Sequence, residues 1–402
     1  MFIELHIIQN FAPANLNRDD TGSPKECQFG GVRRARISSQ SFKRAIRFEP
    51  AFAAKTEVSN GHRTKRMALP IEERLVKQEK SEEESKVVAL AFAKAYAGKM
   101  DKGEKTNVLV YLSDEELDWI ATSLLAQWDT AIGEATGKSK QKIIGDLVKE
   151  LVKETKERTN APDVALFGRM LANDPKTNID AACQVAHALS THPAAMEWDY
   201  YTAIDDLQPE DTTGADMIGY TGYNSSCFYR YARLDWTQLK KNLGWRDESS
   251  TKKAGEKELI RQRNQAAIGL ARRTVEGFLR AALEAIPTGK QNAFAAQNPT
   301  NMALAVVRED GRSWNLSNAF EVPVQARNKM GDYVGYITPS IQELENEWAD
   351  KLSFYDDAQA KIKAIAVYTD RRHQEALDIL KPHLKATLSA WVGEVTTALP
   401  QE

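Results

Sequence analysis

LNRDDTGSPKECQFGGVRRARISSQSFKRAIR, residues 16–47, carries the signals from which the rest of the chain is organised. Within it, VRRARI (32–37) reads as a short strand, and SSQSFKRAIR (38–47) reads as a helix. Ser38 is a good N-cap, and Ile37 before it and Phe42 four residues after it form a hydrophobic staple. Phe42, Ala45 and Ile46 then share a face that enters the core, while Gln40, Lys43, Arg44 and Arg47 share the other. Ahead of the strand, Pro13, Gly22, Pro24, Gly30 and Gly31 make 10–31 a long loop. A loop of about twenty residues is too long to be a mere connector and tends to be functional.

Towards the N-terminus, residues 1–9 alternate, with Ile3, Leu5 and Ile7 on one face and Glu4, His6 and Ile8 on the other, which is strand periodicity. Towards the C-terminus, 48–65 is mixed and polar and marks a boundary. A helical block follows, with segments expected at 71–98, 113–128, 139–158, 161–172 and 178–191. Ser113 and Glu116 make a capping box, and KSEEESK (80–86) reads as a solvated charged stretch. Residues 198–233 change character: WDYYTAIDDL and CFYRYARL are aromatic-rich strand-like runs around a Gly-, Asp- and Thr-rich centre, the pattern of an extended hairpin. Helices are expected near 236–243, 255–285, 340–353 and 371–397, and strands at 302–309 and 361–370. Few strands among many helices fit an α+β core with a helical insertion and a projecting hairpin.

The chain has 402 residues, 42% hydrophobic and 27% charged, as a soluble globular protein has. No apolar run is long enough to span a membrane, and MFIELHII lacks the basic start and cleavage site of a signal peptide. Cys27, Cys183 and Cys227 lie far apart and match neither zinc spacing nor a disulfide framework. The cytoplasm is the expected compartment. The net charge is −2. Between Lys25 and Arg47, however, seven bases (Lys25, Arg33, Arg34, Arg36, Lys43, Arg44, Arg47) face one acid, Glu26, so this segment is +6 and the remainder −8. That asymmetry is the electrostatic footprint of a phosphate-binding groove on a near-neutral body.

The helix start at Ser38 and Ser39 presents backbone N–H groups to an anion. Gln40, Lys43 and Arg47, one turn apart, extend that site into a row suited to a phosphate backbone, which gives affinity without sequence choice. Charge alone leaves an ordinary solvated basic face equally open; the adjoining loop with Arg18 and Lys25 favours binding. Tyr200 and Tyr201 are candidates for base stacking, although packing on the core is the commoner fate of such residues. Asp19 and Asp20 could hold a magnesium ion for phosphoryl chemistry, but a pair ordering the loop against Arg18 is the preferred reading. His187 and His192 lack a cysteine or acid at ligand spacing, and PTGKQ (287–291) lacks the spacing of a phosphate loop. No cofactor, metal or catalytic constellation is expected.

The 16–47 segment closely resembles the CasC family, the crRNA-binding backbone subunit of the type I-E CRISPR surveillance complex, Cascade. The resemblance rests on LNRDD, on FGG followed by a basic strand, and on RISSQSFKRAIR. It continues through ALFGRM (165–170), AHALSTH (186–192), YTAIDDLQ (201–208), FYRYARL (228–234), GKQNAFAAQNP (289–299), SNAFE (317–321) and PSIQ (339–342). It implies an RRM-like (ferredoxin-like) palm with an inserted helical finger domain and a β-hairpin thumb. The expected division is 1–57 palm, 58–181 finger, 182–199 palm helix, 200–228 thumb and 229–402 palm with C-terminal helices. It further implies copies stacked as a helical filament along one crRNA, whose bases are presented to target DNA, together with the large, small and handle-binding subunits, the repeat-processing endonuclease and a recruited nuclease as partners.

By position, Arg18, Lys25, Ser38, Gln40, Lys43 and Arg47 match family residues that hold the RNA backbone. Met170 matches a residue that wedges against the kinked guide, and Tyr200, Tyr201 and Thr202 match the thumb base beside a displaced nucleotide. Here Tyr-Tyr stands where the family has Trp-Phe, and the thumb tip, 209–224, matches poorly. Two other classes stay open on residues alone. One is an RNase using His6, His187 or the Asp19–Asp20 pair; the other is a protein-binding adaptor whose basic strip meets an acidic partner.

Overall fold

The computed structural model describes residues 1–155, 158–170, 177–203, 217–251, 253–328, 330–355 and 358–401. The chain is mixed α+β and divides into two compact units. The first takes Met1–Phe52, Gln184–Leu234 and Glu276–Pro400, and the second is chiefly Ala53–Cys183 with Asp235–Val275. The expected finger, 58–181, left out the Asp235–Val275 stretch, which had been assigned to the palm.

The first unit is built on a nine-stranded sheet among the described residues. Strand β1 (Phe2–Ala14) runs five residues beyond the expected strand, so the loop that follows is shorter. It pairs antiparallel with Met302–Arg308, which pairs antiparallel with Ile362–Thr369. On its other side lies the long strand Met217–Asp235, followed by Ala188–Ser190, β3 (Val32–Ile37) and β2 (Glu26–Phe29). Strand β2 was expected as loop; it forms a hairpin with β3 through the Gly30–Gly31 turn, where both glycines have positive φ.

Both faces of β1 are buried. Leu5 and Ile7 lie with Phe42, Ile46 and Phe278 under helix α1 (Ser39–Phe48) and the end of the Ala254–Glu284 helix. The other face, with Glu4, His6 and Ile8, is covered by the Ile337–Phe354 helix and its Trp348. Its polar groups are therefore paired internally. Glu4 ion-pairs with buried Arg308 and accepts from the Trp314 backbone N–H, and His6 Nδ1 lies 2.9 Å from the Tyr229 hydroxyl.

The helix expected over 178–191, and with it the palm helix of 182–199, is absent. Cys183–Val185 and Ala188–Ser190 are strands paired with the Met217–Asp235 strand, and Glu197–Ala203 begins the hairpin. Buried Ala188 and Ser190 flank half-buried Leu189, the period of a strand, and a partner strand was there to receive it. The expected 371–397 helix is two 3₁₀ turns and a single α-helix, Leu388–Thr397. Pro382 cannot donate within a continuous helix, and Thr387 caps the late start by accepting from Ala390 N–H.

The second unit is largely helical. Leu75, Val88, Phe92, Leu117, Ile144 and Leu151 belong to its main core cluster. The expected 71–98 helix is two, Ala68–Lys77 and Glu82–Ala97, broken where Glu79 takes φ 63°. The acidic run 82–84 is the first turn of the second helix, capped by Ser81 and favourable to the helix dipole rather than merely solvated. The Ser113–Glu116 capping box is formed in both directions. Among the described residues no helix is long and apolar enough to cross a membrane.

Candidate nucleic-acid interface

Helix α1 starts as its sequence dictates. The Ser38 hydroxyl accepts from Ser41 N–H at 3.3 Å, and Ile37 and Phe42, 3% and 1% exposed, close the staple. The cost of this geometry is that Ser38, itself buried, spends its side chain on the cap. Two asparagines not anticipated from sequence then tie the site together. Asn17 accepts from Ser38 N–H through Oδ1 and from Lys25 N–H through its backbone carbonyl, joining the Arg18 loop to α1. Fully buried Asn15 donates from Nδ2 to Gly22 O at 3.0 Å and to Gly222 O at 2.9 Å, joining the same loop to the hairpin. Their signal in the sequence was their place on either side of Leu16, at the head of the quoted stretch.

The loop itself is folded around Asp19. Its carboxylate accepts from Thr21 N–H, Thr21 Oγ1 and Ser23 N–H, and these donors, led by the Thr21 hydroxyl, hold its pKa below the usual carboxylate range. Asp19 thus orders the loop through Thr21 and Ser23, not through Arg18. Arg18 and Asp20 are exposed and Lys25 is half-buried.

The seven bases of the segment do not form one row. Arg34 is fully buried and donates to the carbonyls of Phe29, Ser190, Phe320 and Glu321. Arg33 is paired with Glu26 at 2.8 Å. Arg47, placed by sequence on the open face, is only 8% exposed, with its guanidinium 5.3 Å from the Phe48 ring centre. Gln40 is exposed and Lys43 half-buried, so the Gln40–Lys43 end of the expected row stands out and its Arg47 end does not. Arg44, which sequence reasoning did not choose, is exposed and stacks 4.7 Å over Phe48. With Arg18, Ser41, Phe48, Thr288 and Gly289 it lines a cavity of about 580 Å³. Ala45, expected in the core, faces this cavity instead.

At the far end of β3, Arg36 donates to His187 Nδ1 at 2.8 Å. Burial, then the charges of Arg36 and Lys25, push His187 below its ordinary range. His6 is a core residue: burial, then Arg308, lower its pKa to about 3. His192 is likewise buried, its ring stacked 3.7 Å from that of Tyr336.

The hairpin pairs Glu197–Ala203 with the start of the Met217–Asp235 strand, Tyr200 opposite Tyr220 and Tyr201 opposite Gly219. Tyr200, Tyr201 and Thr202 are exposed, so the aromatic pair does not pack on a core. Half of the expected thumb tip, 209–216, lies outside the described residues; Met217–Asn224 belongs to the long strand.

Met170 belongs to the second unit. It is 81% exposed, whereas its neighbour Arg169 is 4% exposed. The Arg169 guanidinium pairs with Glu116 at 2.6 Å and donates to the carbonyls of Tyr111, Thr155 and Thr177, and the Arg169 backbone exchanges two hydrogen bonds with Ile179. Met170 therefore projects from a backbone fixed by the residue before it.

Comparison with known proteins adds to this geometry. The family model of CT1975-like proteins (Cas_CT1975) matches residues 3–393. A solved chain of a CRISPR RNA-guided surveillance complex in a pre-nicking form is similar over 99% of this chain and 100% of its own, at 28% identity and a TM-score of 0.79. A chain of another CRISPR RNA-guided surveillance complex is similar over 99% and 100%, at 25% identity and a TM-score of 0.69. No curated protein matches the chain.

Proposed function

The chain belongs to the family of CT1975-like proteins, and we propose that it is a non-catalytic, crRNA-binding backbone subunit of a type I-E Cascade complex. Copies of it line up along one guide RNA, hold its backbone and leave its bases for pairing with target DNA. The guide reads sequence while the protein reads backbone and shape. The large, small and handle-binding subunits, the repeat-processing endonuclease and a recruited nuclease are its partners.

The observation that carries this reading is the joining of three elements in one unit. Asn17 and Asn15 bind the Arg18–Lys25 loop to the start of α1 and to the aromatic hairpin. A cationic edge and stacking side chains are thereby set side by side, which is what a single-stranded polyanion requires. Whole-length similarity to chains of RNA-guided complexes supports it.

The palm is of RRM-like kind. β1, α1, Ala188–Ser190, Met217–Asp235, the Glu276–Glu284 end of the Ala254–Glu284 helix and Met302–Arg308 run strand–helix–strand–strand–helix–strand. In the sheet the fourth of these strands lies beside the first, then the third, then the second. The sheet face on which RRM modules stack RNA bases is closed here by Trp348 and its helix. The guide accordingly runs along the loop, α1 and hairpin.

The test is the full chain produced with its guide. RNA of guide length should co-purify, and the Arg18→Ala, Lys43→Ala double variant should bind it more weakly. The slope of log affinity against log salt should be shallower by about 1.4, roughly 0.7 per lost phosphate contact on a single strand. Unchanged affinity at every salt concentration would sink the reading. Cleavage of guide precursor or of complementary RNA, abolished by His187→Ala or Asp20→Ala, would put an RNase in its place.

A further inference from the structure

The helical second unit holds a cavity of about 200 Å³, walled by the Asp114–Ala126 and Ile143–Glu154 helices. Small-molecule pockets begin at about 300 Å³, so this one suits a single side chain. One wall carries Glu115 and Trp119, a turn apart; the other carries Glu150 and Glu154, also a turn apart. Trp119 is half-buried and packs in part against the helical core. Glu116 lines the cavity too, but it is consumed: it accepts from Ser113 N–H and pairs with Arg169. Three carboxylates and one guanidinium remain. Arg158 answers Glu154 at 3.4 Å. Glu115 and Glu150 are exposed and have no ion-pair partner among the described residues.

Two further features do nothing for the fold by itself. Glu150 and Glu154 are like charges four residues apart in the last turns of their helix, where the dipole disfavours carboxylates. Asn160, also at the cavity, has a buried Oδ1 that accepts from no donor among the described residues, although such an acceptor is ordinarily paired. A cation that is planar and rich in N–H donors answers the carboxylates, the open acceptor and the indole together.

We propose that this cavity receives the guanidinium of an arginine carried by a protein partner, with Trp119 against its plane and Glu115 and Glu150 as its counter-charges. Guanidinium, unlike ammonium, stacks on aromatic faces and meets carboxylates through paired N–H groups. The same carboxylates repel a phosphate backbone, so this surface serves a protein and not a nucleic acid. Guide binding and this contact stand independently of each other. The receiving site is held in shape beforehand by the Ser113–Glu116 capping box and by Arg169, which also donates to the Thr155 carbonyl. Arg169 is the residue that fixes the backbone ahead of Met170, so an occupant of the cavity sits against the support of that side chain.

The test titrates the full chain with a dye-labelled pentapeptide, one central arginine among glycine and serine, and follows fluorescence anisotropy. The arginine peptide should bind saturably, the lysine peptide several-fold more weakly and the uncharged citrulline peptide not at all. Glu115→Gln with Glu150→Gln, at exposed positions that leave the denaturant melt unchanged, should weaken binding by about tenfold. Trp119→Leu should weaken it by roughly 2- to 30-fold. Glu82→Gln with Glu83→Gln, exposed acids on another helix of the same unit, should leave it as it was.

Citrulline bound as well as arginine, or equal losses in the two glutamate double variants, would overturn the proposal in favour of unspecific attraction. Agmatine bound as tightly as the peptide would replace the protein partner with a small amine. If no peptide binds, the proposal falls alone, provided the same preparation retains guide RNA; loss of RNA binding as well would count against the proposed function separately.

Discussion

The basic stretch of 25–47 and the hairpin stem of 197–223 depart from ordinary burial in opposite directions. In the first, charged residues go inside: Arg34 serves four carbonyls and Arg47 is packed away. In the second, aromatic residues stay outside, with Trp198, Tyr200 and Tyr220 all more than half exposed. Charge density therefore overstates the first as a binding surface, and apolar composition understates the second. What marks a residue for a ligand is a side chain whose chemistry its own fold has not consumed. By that measure Arg18, Arg44, Gln40 and the hairpin rings stand out, and Arg34 and Ser38 do not.

The largest effect that would sharpen this contrast concerns a consumed polar group on the sheet. His6 is held neutral, with its pKa lowered to about 3. Its folded pKa lies below its unfolded value, so the protein keeps this stability above about pH 6.5 and loses it as pH falls towards 3. The loss amounts to about 5 kcal/mol at the acid end. Glu4, which burial pushes upward from about 4.5, works in the opposite sense, its stability being lost as pH rises above that value. His6→Gln should unfold at lower pH than wild type when followed by circular dichroism; an unchanged acid midpoint would contradict the assignment.

Next comes Arg34→Ala, which strands four carbonyl oxygens and should cost about 3–5 kcal/mol in denaturant melts. It should leave the salt slope of RNA binding unchanged, and a shallower slope would return Arg34 to the binding surface. Ser38→Ala should cost about 1 kcal/mol through loss of the cap. Weaker guide binding at undiminished stability would show a contact instead. The smallest effect on stability is expected of Arg44→Ala, within about 0.5 kcal/mol as for an exposed position, although its salt slope should fall by about 0.7. If both quantities stay put, the cavity beside α1 plays no part in holding RNA.

What could be read from the sequence was what the chain decides locally. The Ser38 cap, the Ile37–Phe42 staple, the Ser113–Glu116 box and the hairpin all depend on residues a few positions apart or on plain alternation. What escaped depends on distant partners. Arg34 is buried because Ser190 and Phe320, 156 and 286 residues away, supply its acceptors. The 183–190 segment is strand because the Met217–Asp235 strand pairs with it. Asn15 is an organiser only because Gly222 comes within its reach, 207 residues later. The candidate site was visible in its membership and hidden in its division of labour. Arg47 was placed on the wrong side, Arg44 was passed over, and Tyr200 and Tyr201 were given one role although they lie on opposite faces.

Covering both faces of β1 has a consequence for how the chain is made. Its first thirteen-residue strand is apolar and carries Glu4 and His6. Glu4 finds its counter-charge in Arg308, 304 residues downstream. At ordinary elongation rates a ribosome needs about 15–60 s to deliver that arginine. Until then β1 holds an aggregation-prone edge and an uncompensated carboxylate. Production without chaperone capacity should accordingly fail by precipitation of nascent chains, well before any defect in the finished surface is felt.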